Sequence, residues 1–170
     1  MLDIATLLIF PLCMSVAAIS DLLTMTIPNR VSVALVVSFM ILALFGGMAL
    51  SEIGLHFAGA AIVFFACFAL FATNVMGGGD AKLLAAAALW FGFDPSLFSF
   101  VVYVTLIGGL LTVFIVLLRS QSSTIMAIGL PLPNSLLVAK KIPYGIAIAI
   151  GGILAFPASP LVIAATKRLL

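Results

Sequence analysis

Two aspartates set the chemistry that this chain can do. Asp21 closes the first apolar run of the sequence, and Asp80 opens the fourth, directly behind Gly77-Gly78-Gly79. If the runs cross a membrane, two crossings separate the aspartates, so both stand on one face at similar depth. Two carboxylates brought close in a low-dielectric site do not both ionise cheaply. The pair keeps one proton and can hold a water molecule between its members. The charged carboxylate takes a proton from that water while the neutral one polarises a peptide carbonyl. The tetrahedral gem-diol then collapses and the amide breaks. The residues alone do not say which aspartate is acid and which base, because coupled groups titrate as a pair. Nor do they say whether the two touch before a substrate arrives.

A competing reading applies to each aspartate taken singly. A carboxylate at a membrane boundary more commonly caps a helix or faces water, and glycine before it is a weak signal because glycine is frequent in membrane helices. Two aspartates at matched depth, each in a patterned segment, outweigh that reading. The three glycines before Asp80 are expected to permit unusual backbone angles and to let a substrate strand approach closely.

The elements that must position this pair follow from composition. Of 170 residues, 65% are hydrophobic and 7% charged, and the mean hydropathy is +1.45. Twelve Asp, Glu, Lys and Arg side chains cannot cover a soluble domain of this size, so a lipid bilayer is the expected surrounding. The net charge of +2 gives no basis for nucleic-acid binding. Cys13 and Cys67 lie in separate apolar runs without metal-ligand spacing and read as small buried hydrophobes. The amino terminus lacks a basic leader region, so the first run reads as a retained helix and not a signal peptide.

Apolar runs cover Ile4–Ile19, Val31–Leu50, Ile53–Thr73, Leu83–Phe93, Leu97–Leu118 and Ile142–Thr166. A span of the hydrocarbon core takes about 20 residues. The fourth run is short unless counted from Val75, which makes roughly 28 Å of helix and puts Asp80 at the membrane boundary. The expected fold is an all-α integral membrane protein: one domain over residues 1–170, a bundle of about six transmembrane helices, the fourth short and glycine-broken at its start. Asp94-Pro95-Ser96 reads as a helix start. Arg30, Lys82, Arg119, Lys140 and Lys141 fall on one side of this layout, whereas the connections near Glu52 and Asp94 hold no Lys or Arg. The positive-inside rule then puts Asp21 and Asp80 at the cytoplasmic face, against the dissent of Lys167 and Arg168.

Three segments resemble the type IV prepilin peptidases, in the short form associated with Flp-type (tight adherence) pili. Asp21 is followed by Ile27-Pro28-Asn29; Gly77-Gly78-Gly79-Asp80-Ala81-Lys82 matches a Gly-x-Gly-Asp-x-Lys; and Ile142-Pro143-Tyr144-Gly145-Ile146-Ala147 matches a late Ile-Pro-Tyr-Gly-x-Ala. The motifs come in the family's order. The resemblance implies a GxGD-type aspartic endopeptidase of the bacterial inner membrane that uses no metal or cofactor. Its partners would be prepilin and pilin-like precursors, cut on the cytoplasmic side just before their hydrophobic helix to release a short basic leader. Asp21 and Asp80 would be the catalytic pair, with Gly77, Gly79, Lys82, Pro28, Asn29, Pro143, Tyr144 and Gly145 shaping the site or contacting substrate. Self-association is left open. Longer relatives carry a CxxC-bearing insertion and N-methylate the new terminus; this chain has no such insertion. The stretch from Leu22 to Thr26 also lacks the basic residues frequent in relatives.

Among the other polar residues, Lys82 is expected to snorkel to the headgroups, His56 lies on the far side with no partner ligand, and Glu52 and Asp94 read as caps. Asn29 and Asn74 are candidate helix caps. Gly108, Gly109, Gly145 and Ala149 read as sites of close helix packing. The prolines of the 119–141 segment forbid one long helix; it is read equally as a cover over the site and as a linker. Two rival functions share the carboxylates: a proton-coupled transporter and a non-catalytic scaffold of a pilus or secretion machine.

Overall fold

The computed structural model describes residues 2–121 and 141–169, and all the regular structure among them is helical. Helix α1 covers Leu2–Thr24, α2 Asn29–Phe45, α3 Leu50–Ala72, α4 Gly78–Ala88, α5 Pro95–Ser120 and α6 Gly145–Ala155; a 3-10 turn at Phe156–Ala158 leads to α7, Pro160–Leu169. Three helices, α1, α3 and α5, are long and apolar enough to cross a membrane, and α6 with α7 makes a fourth if the bent pair is one span. Six full-length crossings are therefore not met by length. Helix α2 has 17 residues and α4 only 11.

The short α4 lies inside the bundle. Helices α2 and α3 pack on it from one side and α6 from the other, while α6 also packs on α1 and α5. Leu83, Ala87, Ala88, Trp90 and Phe91 are buried almost completely, as are Ala147 and Ile148 of α6. Small residues make this possible, because alanine and glycine let helix backbones approach in the absence of a hydrophobic drive between apolar surfaces in lipid. A methyl at Gly151 would meet the Val104 backbone nitrogen of α5 at 2.7 Å.

Past α4, Trp90 packs at a tilt against Phe10 and Phe156. Its indole N–H donates to the Leu35 carbonyl (3.1 Å), and its own carbonyl accepts from the Ser159 hydroxyl (2.5 Å). We expect Trp90→Phe to lose about 1 kcal/mol through that indole bond, measurable as an earlier midpoint in SDS unfolding from mixed micelles.

Five details depart from the sequence-based expectation. Helix α1 does not stop at Asp21 but continues to Thr24, because Leu22 and Leu23 extend its apolar pattern. It ends where Met25 enters the left-handed region at φ 56° and the Ser20 and Thr24 hydroxyls close onto Thr26. The last run is not straight: α6 and α7 meet at 52°, since Pro160 has no N–H and forces Ser159 into extended backbone. Gly77 has an ordinary φ of −72° and only Gly47 and Gly92 have positive values among the described glycines. The glycine string is therefore not a set of unusual backbone angles. The turn before α4 is made instead by Asn74, at φ 58°, which is no helix N-cap. Finally, Asn29 is the first residue of α2, with Pro28 as its N-cap, so it does not cap that helix by its side chain.

The two cap readings hold. Asp94 caps α5 by accepting from Ser96 N at 2.9 Å, and Glu52 reaches back to Ala49 N at 3.2 Å. His56 is buried and pairs through Nδ1 with the Leu89 carbonyl, under Gly92. Arg168, one of the two dissenting cations of the charge pattern, pairs with Asp3 at 3.5 Å. The readings of residues 122–140 lie outside the described residues; at their edges, Arg119 donates to the Lys141 carbonyl at 2.8 Å.

Candidate active site

The three motifs, far apart along the chain, meet at one end of the bundle. Asp21 is almost fully buried on α1. Its Oδ2 accepts from the backbone N–H of Gly145, the first residue of α6, at 2.7 Å. Asp80 stands in the first turn of α4 and accepts from the N–H of Gly77 in front of that helix. The two carboxylates are within electrostatic reach of each other, and Lys141 and Tyr144 lie within reach of Asp80.

Each carboxylate thus sits at the positive end of a helix, Asp80 at its own and Asp21 at a neighbour's. Free N–H groups and the helix dipole there favour negative charge. This offsets part of the cost of placing a carboxylate in an apolar interior.

The glycines act through the side chain they lack. A methyl at Gly77 would lie 2.7 Å from Asp80 Oδ2, and one at Gly78 would press on the Phe71 ring at 3.2 Å. Gly79 faces Ile27, whose Cβ would stand 3.4 Å from such a methyl. That contact brings the Ile-Pro-Asn segment onto the start of α4. A second link joins the same two segments: Lys82 Nζ donates to Asn29 Oδ1 at 3.3 Å. Lys82 is therefore tied to Asn29 as well as exposed. Pro28 is exposed and sets the entry of α2.

In the third motif, Pro143 is fully buried and leads into the α6 start. A methyl at Gly145 would meet Asp21 Oδ2 at 2.8 Å and Asp21 Cβ at 2.9 Å. The Tyr144 ring lies on Gly108 of α5, close enough that a Cβ there would collide with its hydroxyl. The sequence reading placed Gly108 among packing glycines and did not connect it to the site, since no motif surrounds it. Its effect is to seat Tyr144 beside Asp80. We expect Gly108→Ala to displace Tyr144 and to slow the site's reaction about tenfold, with Gly109→Ala, which has open space, as the unaffected control. The polar turn made by Ser20, Thr24 and Thr26, which holds Ile27 over Gly79, was likewise not visible as part of the site.

Among the described residues, no group of three His, Cys, Asp or Glu side chains has the arrangement of a metal site. No curated protein matches the chain, and no solved structure does. A sequence model of the type IV leader peptidase family matches residues 8–117, more than half of the chain, and spans both aspartates and the first two motifs. With that match over the segments that fold onto one another here, the chain belongs to the type IV leader peptidase family.

Proposed function

We propose that this peptidase is an aspartic endopeptidase that removes the basic leader from Flp-type prepilins and pilin-like subunits, with Asp21 and Asp80 as its catalytic pair. One observation carries the reading: carboxylates from α1 and α4 converge within electrostatic reach, each at a helix amino end and both in largely apolar surroundings. Such a pair retains one proton. The charged member accepts a proton from water as its oxygen adds to the scissile carbonyl, and the protonated member donates to that carbonyl oxygen. The gem-diol collapses as the C–N bond breaks: the leaving amine takes a proton from one carboxyl while a hydroxyl of the diol returns its proton to the other, so the pair ends with the single proton it began with.

The membrane arrangement that fits this chemistry has α2 and α4 as short crossings within a six-crossing, single-domain protein of the inner membrane. Arg30, Lys82, Arg119 and Lys141 gather at the carboxylate end, and Glu52, Asp94, Lys167 and the Asp3–Arg168 pair at the other. That asymmetry supports a cytoplasmic active site.

The test is co-expression with a Flp-type pilin precursor, reading the precursor's size on a gel and the new amino terminus by mass spectrometry. The expected result is a shortened product that begins at the hydrophobic helix. A precursor left whole by wild-type protein at normal levels sinks the proposal.

A further inference from the structure

At the end of the bundle opposite the aspartate pair lies a cavity of about 390 Å³, within the roughly 300–1,000 Å³ of small-ligand sites. Five segments close around it: the starts of α1 and α3, the turns before α3 and α5, and α7. Its charged lining is Asp3, Glu52, Asp94 and Arg168, three carboxylates against one guanidinium. Asp3 faces Arg168, which also donates to the Gly46 carbonyl at 3.3 Å. Glu52 Oε2 accepts from Ala49 N, and Asp94 Oδ1 from Ser96 N. Among the described residues, the other oxygen of Glu52 and of Asp94 has no further partner.

Acidic residues at a helix end are by themselves merely solvated. A buried histidine in the same cavity is not so explained. His56 lines it and is only 5% exposed, its ring packed against Phe39 and Gly92. Nδ1 meets the Leu89 carbonyl. A carbonyl only accepts, so Nδ1 carries the hydrogen and Nε2 is left as an acceptor. No described residue bonds Nε2, and no buried side-chain nitrogen among them is sealed off without a partner. Nε2 therefore opens on the cavity.

We propose that this cavity binds a primary ammonium group, carried by the headgroup of an aminophospholipid; the proposal is independent of the peptidase reading. Every unused group in the cavity accepts, and the lining has an excess of negative charge, so the ligand must bring N–H donors and a positive charge. A primary ammonium is a compact cation with three donors, enough for His56 Nε2 and for oxygens of Glu52 and Asp94. A quaternary ammonium has no N–H to give. A divalent ion is disfavoured because these side chains are not grouped as metal ligands are. The one cation, Arg168, is about half exposed, and a guanidinium suits the phosphate that follows the ammonium in such a headgroup. The cavity lies at the ends of the apolar helices, and the exposed apolar side chains of Leu2 and Phe93 line it too. Acyl chains can thus leave it directly into the bilayer, which favours a lipid over a free amine.

The experiment is native mass spectrometry of the full-length protein, stripped of lipid in detergent and titrated with phosphatidylethanolamine or with phosphatidylcholine of the same acyl chains. Wild-type protein should retain one phosphatidylethanolamine about tenfold more tightly than phosphatidylcholine. The double variant Glu52→Gln, Asp94→Asn removes two charges and keeps both cap acceptors. It should bring the two lipids within about twofold of each other, at an SDS-unfolding midpoint near wild type. Should the double variant not fold, Glu52→Gln alone, at an exposed position, should cut the preference about threefold. Lys167→Gln, outside the cavity lining, should leave it unchanged. Equal retention of the two lipids by wild type, or a preference that survives the loss of the carboxylate charge, overturns the proposal. Phosphoethanolamine without acyl chains is the last arm. If it binds as tightly as the lipid, the ligand is a free amine and the lipid assignment is overturned; binding at least about a hundredfold weaker supports the lipid.

Discussion

Asp21→Asn and Asp80→Asn each stop precursor cleavage, with a loss of at least about a thousandfold, while the protein inserts at its normal level. The magnitude follows from the roles. Asparagine keeps the shape and can still accept from Gly145 N or Gly77 N, but it can neither take a proton from water nor give one to a carbonyl. A positioned proton transfer contributes roughly 10² to 10⁴ in rate. Because the two carboxylates act on one water and one carbonyl, losing either forfeits nearly the whole effect. The double variant should therefore be hardly slower than the singles. The measurement is the fraction of shortened precursor over time in membranes of matched protein content. Activity within tenfold of wild type in either single variant would remove that aspartate from the mechanism. A scaffold predicts untouched processing in both.

The second large effect is expected at Gly145, where the only change needed is one methyl group. Alanine is readily accepted at the first position of a helix, so α6 should still form. The added carbon, however, would stand 2.8 Å from Asp21 Oδ2 and 2.9 Å from Asp21 Cβ, and Asp21 is almost fully buried. The carboxylate must shift, and its 2.7 Å bond from Gly145 N must lengthen. Displacing a reacting group by about 1 Å costs roughly a hundredfold in rate. We expect Gly145→Ala to lose cleavage by about that factor, with an SDS-unfolding midpoint near wild type. The Ala147→Gly variant, two residues along the same helix, separates the two effects: it loosens α6 without touching Asp21, and should shift the midpoint more than the rate. A Gly145→Ala protein that cuts at the wild-type rate would show that the contact with Asp21 is immaterial.

Much of the site was legible in the order of residues. Apolar runs and the parity of crossings put Asp21 and Asp80 at one end without coordinates, and their convergence in the fold agrees with that placement. The Asp94-Pro95-Ser96 cap was legible too, because a cap is a local arrangement of neighbouring residues. The bend between α6 and α7 was missed although Pro157 and Pro160 were in view: hydropathy averages over a run and does not register a missing N–H. The role assigned to Gly77–Gly79 was mistaken in kind. Sequence shows that a side chain is absent, not whether the backbone or a neighbour requires that absence.

What the sequence determined by itself is the medium and the candidate reagents: a chain with so few charges fits lipid, and two carboxylates at a membrane boundary are costly there and mark a candidate site. Tertiary structure decided the rest, namely that the amide of Gly145 holds Asp21, that Ile27 covers Gly79, and that Gly108 seats Tyr144. These are contacts between residues tens of positions apart, set by how closely helices with small side chains can approach. Helix approach depends on all the packed faces at once, so no single segment of sequence encodes it.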